Sequence, residues 1–261
     1  MSKKFLFSLT LLALALQPSA LQSEEAAPSG KDLAQKVYDY YIGDNSVSKV
    51  NMQLVDKSGS TRERSLISMT MEKGELRRFF IRFLEPADIA GTGFLSIEQE
   101  DGSTEQILYL PALDRTRRIV SAHKDRSFVN TDFTYEDMER RPVEDAEHQI
   151  VGKETVNDLE CWVLKTRPLP EAESQYSLLR IWVPKKFALP IKTHFFDQKD
   201  QHIKTYEVQD LQEVQGIWTP MQEVMIDHQD EHKTVLTTEE IEYNSSQIQE
   251  SFFTTRYLEN W

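Results

Sequence analysis

Hydrophobic and polar residues alternate with a period of two over most of the chain between Val47 and Tyr243. Segments of roughly eight to twelve residues, rich in Val, Ile, Thr, Phe and Tyr, are separated by polar turns such as Lys73-Gly74 and Gln215-Gly216. Links this short join antiparallel neighbours, because parallel strands need a crossover of a dozen or more residues. The pattern therefore predicts an antiparallel sheet of about eleven strands.

Helical periodicity is confined to three short stretches. Apolar residues recur at three- and four-residue spacing over 31–42, which predicts a helix. Thr134-Tyr-Glu-Asp137 has the form of a capping box, and the helix that it begins must end before Arg141-Pro142. A third short helix is predicted over 246–253. Such helices cannot continue the sheet, so we expect them to lie against one of its faces.

Several strands are apolar on both faces. On the predicted strand 77–84 the apolar side chains divide between the two sides, with Phe79, Ile81 and Phe83 on one and Phe80 and Leu84 on the other. A sheet with one wet face alternates more cleanly. Covering helices, a second packed sheet or an internal cavity would each account for this pattern. The predicted helices are too few to cover so many strands, which favours a cavity.

The N-terminus has the pattern of a secretory signal peptide. Lys3 and Lys4 precede an apolar run over 5–16, and the small residue Ala20 follows it. The run is shorter than the roughly 20 apolar residues that cross a bilayer. We expect residues 1–22 to be a cleaved signal, 23–30 a flexible lead-in and 31–261 a single domain. The alternative is an apolar N-terminal helix of the fold.

Charge and cysteine content exclude two classes of protein. The 261-residue chain has a formal net charge of −13 at pH 7, so it repels nucleic acid at long range, and nucleic acid is excluded as a partner. A single cysteine, Cys161, excludes an internal disulfide framework. Next to Trp162, this thiol is expected in the core, with an intermolecular or reactive role as the alternative.

Residues suited to catalysis or metal binding do not converge in the sequence. Four acids that could supply paired carboxylates for acid–base chemistry lie close together, Asp132, Glu136, Asp137 and Glu139. The capping signal already accounts for two of them, and no Gly-x-Ser-x-Gly motif is present. His228 and His232 flank a hairpin turn, where a solvated loop is the simpler interpretation than a cation site. The sequence thus predicts no enzyme, no cofactor and no metal.

Short motifs of specific order and spacing occupy residues 77–138. They are Phe83-Leu-Glu-Pro-Ala-Asp88, Gly91-Thr-Gly-Phe-Leu95, Tyr109-Leu-Pro-Ala-Leu113, Arg117-Arg-Ile119, Ser127-Phe128 and Asp132-Phe-Thr-Tyr-Glu-Asp137. With later matches in the strands, they resemble the outer-membrane lipoprotein-sorting proteins of the LolA/LolB-like family, above all its uncharacterised LolA-like branch. One departure is Asn130-Thr131, where the family pattern favours Gly-Ser. Because Asn tolerates the left-handed conformation, we expect the turn to be retained.

The resemblance implies a mainly β (α+β) fold, an unclosed antiparallel β-barrel of about eleven strands whose short helices form a lid over a hydrophobic cavity. It also implies a periplasmic location and the traffic of a lipid or acylated lipoprotein across the envelope, beside an inner-membrane transporter of the RND or MMPL type. A carrier is the leading hypothesis. A non-enzymatic adaptor of such a transporter, with a filled interior, and an enzyme acting on envelope lipids or glycans are the alternatives.

Two sets of residues are candidates for the site. Apolar and aromatic residues on successive strands are expected to line the cavity, namely Phe79, Ile81, Phe83, Phe94, Trp182, Phe195, Tyr206 and Trp218. The lid and its motif supply Arg117, Arg118, Asp132, Phe133, Tyr135, Glu136 and Asp137. We expect at least one of the two arginines to pair with the acids and pin the lid over the sheet. A role in gating the cavity or gripping a polar head group is the alternative.

Overall fold

Thirteen strands dominate residues 27–261, which are the part of the chain that the computed structural model describes. The strands are β1 Asn45–Val55, β2 Thr61–Lys73, β3 Leu76–Glu85, β4 Gly93–Glu98, β5 Thr104–Leu110, β6 Arg115–Ile119, β7 Ala146–Val156, β8 Leu159–Pro168, β9 Leu178–Pro184, β10 Lys192–Phe196, β11 His202–Val214, β12 Ile217–Asp227 and β13 His232–Tyr243. All are paired in one antiparallel sheet. The predicted signal (1–22) and the first half of the lead-in (23–26) lie outside the described residues.

The sheet consists of two meanders joined by a seam. Strands β1 to β6 pair in sequence order and form the first meander, and strands β7 to β13 form the second. The seam is the antiparallel pairing of β1 with β13, in which Ser46 lies opposite Tyr243 and Val55 opposite Lys233. Strands β6 and β7 are left at the two edges, so the sheet is open. The predicted unclosed antiparallel β architecture is confirmed.

The sheet has thirteen strands where the sequence predicts about eleven. The difference comes from short strands: β6 and β10 have five residues each. Strand β6 reads Arg-Thr-Arg-Arg-Ile, which shows no apolar alternation. Its place in the sheet comes from backbone pairing with β5 rather than from a hydrophobic pattern.

Helix α1, Gly30–Tyr38, covers part of the second meander. Its first turn is capped by the Ser29 side chain, which accepts from the backbone N–H of Asp32. The helix ends four residues before the predicted boundary at residue 42. Just beyond its end, the Tyr40 hydroxyl donates to the backbone carbonyl of Trp218, 3.0 Å away. That bond links the segment after α1 to β12. No helix of the described residues is long and apolar enough to span a bilayer.

The C-terminal segment covers the outer face of the first meander. Instead of the helix predicted over 246–253, it forms a single 3₁₀ turn, Glu250–Phe252, followed by the short helix α2, Thr255–Glu259. Leu258 is fully buried in a cluster with Phe80. A Cβ atom at Gly93 would lie 2.7 Å from the Cδ1 atom of Leu258, so a larger residue there would require the Leu258 side chain to shift.

The inner face of the first meander is covered by residues 120–145, here called the insert. Phe128 and Tyr135 of the insert pack edge-on to each other with ring centroids 5.8 Å apart. Both rings also contact Phe94, and Phe128 contacts Phe83. The two-sided apolar pattern of β3 therefore reflects cover on both faces, by irregular chain inside and the C-terminal segment outside.

The capping box in the insert is confirmed, although the helix that follows is one 3₁₀ turn, Glu136–Met138. The backbone N–H of Thr134 donates to Asp137 Oδ2 at 2.8 Å, and the backbone N–H of Asp137 reaches the Thr134 hydroxyl at 3.4 Å. Asn130 has a φ of 60°, so the left-handed turn expected at this position is retained.

Candidate functional site, a cavity beneath the insert

A cavity of about 480 Å³ lies between the inner face of the second meander, α1 and the insert. Its wall is mostly apolar and includes Met138, Leu164, Leu179, Ile181, Phe195 and Met225. Small-molecule sites in proteins have volumes of about 300–1,000 Å³ and walls of this character. The described chain therefore contains a space of the size and polarity that an apolar ligand requires.

Strand period and register bring the wall residues together. Leu164 on β8 lies opposite Ile181 on β9, and Leu179 on β9 lies opposite Phe195 on β10. Since side chains alternate along a strand, Leu179 and Ile181 share the inner face, whereas Arg180 between them points outward. Neighbouring strands thus contribute to one continuous apolar patch.

A polar pair on β11 and β12 interrupts the apolar wall. Tyr206 on β11 and Glu223 on β12 both line the cavity, and the Tyr206 hydroxyl donates to Glu223 Oε1. Burial raises the pKa of the Glu223 carboxyl above its ordinary value. Burial and the adjacent carboxylate raise the pKa of the Tyr206 phenol well above 10. Both shifts favour the uncharged forms of the two groups.

Arg140 at the rim of the cavity ties several elements together. Its guanidinium pairs with Glu98 of β4 at 2.5 Å and lies 4.1 Å from the centroid of the Tyr38 ring in α1. It also donates to the backbone carbonyls of Tyr38 and Glu75, at 3.1 Å and 2.6 Å. The end of the insert is therefore fixed to α1 and to the first meander.

The acids of the insert pin it to the second meander. Asp137 pairs with Lys204 of β11, both side chains being at most 4% exposed, and accepts from the Tyr176 hydroxyl at 2.8 Å. Asp132 lies 2.8 Å from His232 Nδ1 and accepts from the Thr234 hydroxyl at 2.6 Å. The insert is thus held by buried polar contacts above the cavity.

Glu136 adds a third pin between the insert and the second meander. It pairs with Arg141, accepts from the Ser174 hydroxyl and accepts from the backbone N–H of Gln175 at 3.1 Å. The carboxylate thereby joins the start of the 3₁₀ turn and Arg141 to the segment that precedes β9. Asp132, Glu136 and Asp137 are all occupied by such contacts, so structural pairing accounts for each of them.

The expected pairing of Arg117 or Arg118 with these acids is wrong. Arg118 pairs with Glu105 on the neighbouring strand β5, and Arg117 lies 3.2 Å from His123 Nδ1. Both arginines are exposed on the edge strand β6. The acids of the insert face the second meander instead, where Lys204 supplies the buried cation.

The predicted cavity residues divide into three groups. Phe195 and Tyr206 line the cavity, as do Phe133, Glu136 and Asp137 of the lid set. Four others lie in the closely packed core beneath the other half of the insert, where Tyr135 joins them: Phe79, Ile81, Phe83 and Phe94.

The two predicted tryptophans lie away from the cavity. The Trp182 indole N–H donates to Glu154 at 2.8 Å, and its ring centroid lies 4.6 Å from that of His194. Trp218 stacks on Phe187 with centroids 4.8 Å apart. Neither is among the residues that line the cavity described above.

Sequence reasoning missed Glu223, the one carboxyl on the apolar wall away from the insert and rim. A signal was present: Glu223 lies two residues from Met221 and Met225, so it shares their face of β12. An acid in register with apolar residues marks a buried carboxyl. Leu179 and Met138 also line the cavity, but nothing in their local sequence distinguishes them from ordinary core residues.

The remaining candidates for chemistry are dispersed. Within residues 27–261 no group of three or more His, Cys, Asp or Glu side chains is placed to hold a metal ion. His228 contacts the Thr205 hydroxyl, whereas His232 bonds to Asp132. Cys161 is buried as expected, and burial raises the pKa of its thiol to about 11.

Comparison with known proteins yields matches among solved structures and none among curated proteins. A DUF1329 family protein from Desulfovibrio piger has 26% identity and a TM-score of 0.82, covering 88% of this chain and 97% of that one. A domain assigned to outer-membrane lipoprotein sorting, from Vibrio parahaemolyticus, has 27% identity and a TM-score of 0.81, with 88% and 98% covered.

A more distant structure shows the fold alone. A LolA superfamily protein from Nitrosomonas europaea has 16% identity and a TM-score of 0.68, with 88% of this chain and all of that chain covered. A family model described as that of an uncharacterized protein matches residues 75–260, which is most of the chain. The resemblance predicted from the motifs is confirmed, and the chain belongs to this uncharacterized, DUF1329-like family, whose fold is that of the LolA superfamily.

Proposed function

We propose that this protein is a non-enzymatic periplasmic carrier that holds a lipid, or the acyl chains of a lipoprotein, in the cavity beneath the insert. The observation that carries the proposal is the cavity of about 480 Å³ with its mostly apolar wall. Burying a methylene group contributes about 0.8 kcal/mol, so a fourteen-carbon chain offers about 10 kcal/mol before entropy costs. An apolar wall of this kind binds such a chain without a specific polar contact.

Two further observations support the proposal. The structure assigned to lipoprotein sorting matches nearly all of its own length to this chain. The pattern of residues 1–22 supports export, which would place the cavity where acylated cargo is transferred. In this proposal the insert is the lid, and an inner-membrane transporter of the RND or MMPL type is the partner that the resemblance implies.

Ligand binding by the delipidated protein tests the proposal. An environment-sensitive fatty-acid probe should bind saturably, and long acyl chains should displace it. Native mass spectrometry of gently purified protein should show a co-purifying acyl ligand. Absence of saturable binding by the wild type across a range of chain lengths overturns the carrier and favours the transporter adaptor.

A matched pair of variants locates the binding. Leu179→Trp places a large ring in the cavity, whereas Arg180→Trp places the same ring on the exposed outer face of the same strand. The first should weaken probe binding at least tenfold, a loss of about 1.4 kcal/mol, and the second should leave it unchanged. Equal affinities for both variants would place the ligand elsewhere.

Cell fractionation tests the location. A processed form of the protein should be recovered from the periplasm, because Lys3, Lys4 and the apolar run 5–16 form an export signal. Retention of the full-length chain in the cytoplasm overturns the periplasmic part of the proposal.

A further inference from the structure

The polar pair in the cavity wall, Tyr206 with Glu223, is not needed to bind a hydrocarbon chain. Tyr206 lies opposite Met225, and Glu223 lies opposite Val208 on β11 and Leu236 on β13. An acid among such neighbours is costly to bury, since desolvation disfavours its charged form. Among residues 27–261 the Tyr206 hydroxyl is the one side-chain partner of this carboxyl and bonds to Oε1, so Oε2 has no side-chain hydrogen bond.

No cation compensates this carboxyl within residues 27–261. The side chain that forms a hydrogen bond with it is Tyr206. The nearby Tyr243, whose pKa is raised by burial and to a lesser extent by Glu223, is hydrogen-bonded to the Thr219 hydroxyl. The other charged or titratable groups around the cavity lie on α1, β3, the insert and β7, and are Tyr38, Arg77, Glu136, Asp137, Glu139, Arg140, Arg141, Asp145 and His148. None of these forms an ion pair with Glu223.

The hydrogen bond between Tyr206 and Glu223 runs from the phenol donor to the carboxyl acceptor. A phenol O–H donates to Oε1, and so that oxygen acts as the acceptor. Burial raises the pKa of Glu223, which favours the protonated acid. Because Oε1 accepts from the Tyr206 hydroxyl, the proton of that acid is assigned to Oε2. A protonated carboxyl has one O–H donor to offer. In a side chain that lines the cavity, this donor is available to a ligand.

We propose that Glu223, positioned by Tyr206, donates a hydrogen bond to the carbonyl oxygen of a bound acyl group, so that the cavity selects acyl carbonyl compounds over plain alkyl chains. The inference rests on the proposed carrier function and deepens it, because it names the polar atom that the cavity recognises. An ester-linked lipid or lipoprotein chain and a free fatty acid both carry this oxygen, and they differ in the charge of their head.

Competition between two ligands of nearly equal length tests the subsite. Methyl tetradecanoate has an ester carbonyl, and tetradecyl methyl ether lacks it, and each displaces the same fluorescent fatty-acid probe. Wild-type protein near pH 5 should prefer the ester about fivefold to tenfold, the value of one buried hydrogen bond of about 1–1.4 kcal/mol. Glu223→Gln should retain the preference, because its amide N–H also donates. Glu223→Leu should lose it and still bind the ether.

The pH dependence separates hydrogen-bond donation from a merely structural role. Preference for the ester should fade in the wild type as pH rises through the raised pKa of Glu223, because the ionised carboxylate has no proton to donate. In Glu223→Gln the preference should not depend on pH. Tyr206→Phe removes a donor that favours the charged form, so the loss should move to higher pH.

Free tetradecanoic acid, measured beside its methyl ester, identifies the source of the carbonyl. Tighter binding of the ester supports an ester-linked cargo, and tighter binding of the acid supports a free fatty acid, provided that either depends on Glu223. An ester preference that is equal in wild type and Glu223→Leu, both shown to be folded by thermal melting, overturns the inference. Saturable ether binding then leaves the carrier proposal intact, whereas absence of binding by every ligand overturns that proposal instead.

Discussion

The two meanders share one insert on their inner face and differ in what lies beneath it. Under the first meander, Phe128 of the insert packs against Phe94 with ring centroids 5.0 Å apart, and the space is filled. Under the second meander the insert is held by polar pins, Asp137 to Lys204 among them, and a cavity of about 480 Å³ remains. The insert thus forms part of the packed core under the first meander and covers the cavity under the second.

This difference shows how a sheet covered by few helices can combine one tightly packed half with one that contains a cavity. Aromatic packing in the first meander contributes the stability that a tightly filled core supplies. The buried ion pair in the second meander fixes the position of the insert without filling the space below it. Stability and ligand room are therefore divided between the two meanders.

The largest expected effect is the loss of stability when the filled half is opened. Phe94→Ala should lower the free energy of unfolding by about 3–5 kcal/mol, because a fully buried ring is removed from close packing. Leu179→Ala, at the cavity wall, should cost less than about 2 kcal/mol, since its side chain already lacks packing partners on one side. Urea unfolding measures both. Equal losses would contradict the difference between the meanders.

The second-largest effect is expected from breaking the buried ion pair between Asp137 and Lys204. Asp137→Ala should cost about 3–5 kcal/mol and loosen residues 128–140, because Lys204 is left as a buried, unpaired cation. Hydrogen exchange measures the protection of that segment. The double variant Asp137→Ala with Lys204→Met should recover much of the stability, since no charge is left unpaired. Unchanged protection in Asp137→Ala would show that the insert is held by its aromatic residues alone.

A smaller effect, on the pH dependence of stability, is expected from a histidine on the outer face of the second meander. Burial lowers the pKa of His194, on the outer face of the second meander, to about 4, with the nearby His202 as the second cause. The unfolded chain, with an ordinary histidine pKa near 6.5, binds more protons between pH 6.5 and 4. Stability should therefore fall as pH drops through this window. In His194→Asn the melting temperature should fall less, and parallel curves would contradict the assignment.

The smallest effect tests the corrected role of the edge arginines. Replacing both Arg117 and Arg118 by Ala should change the free energy of unfolding by less than about 0.5 kcal/mol, because both are exposed and Arg118 forms only a surface ion pair. Protection of the insert should stay at the wild-type level. A loosened insert in this variant would restore the pairing that the sequence suggested.

Turn residues made the strands predictable. Lys73-Gly74 and Gln215-Gly216 were assigned to turns, and Gln215, Gly74 and Gly216 all adopt positive φ between consecutive paired strands. Glycine tolerates a conformation that most side chains disfavour, so Gly74 and Gly216 mark hairpins directly. The family motifs added the open, LolA-like arrangement that alternation alone could not distinguish from a sandwich.

The site was predictable only in part, because alternation shows which residues share a face and not which face lies inside. Trp182 and Ile181 are neighbours, yet Ile181 lines the cavity and Trp182 points away from it. Lys204 could not be identified as the partner of Asp137 because the two residues are 67 positions apart. Long-range contacts of this kind depend on how the insert packs against the second meander.

The seam between β1 and β13 sets the order in which the chain can fold. Every other pairing joins strands that follow one another in sequence, so each meander can form from local contacts. The seam joins Ser46 to Tyr243 and must await the last strand of the chain. Since such distant pairing is entropically expensive and slow, β1 and β13 remain open edges, in addition to β6 and β7, until the seam closes. Assembly of the two meanders is therefore the step at which a chaperone would have most to protect.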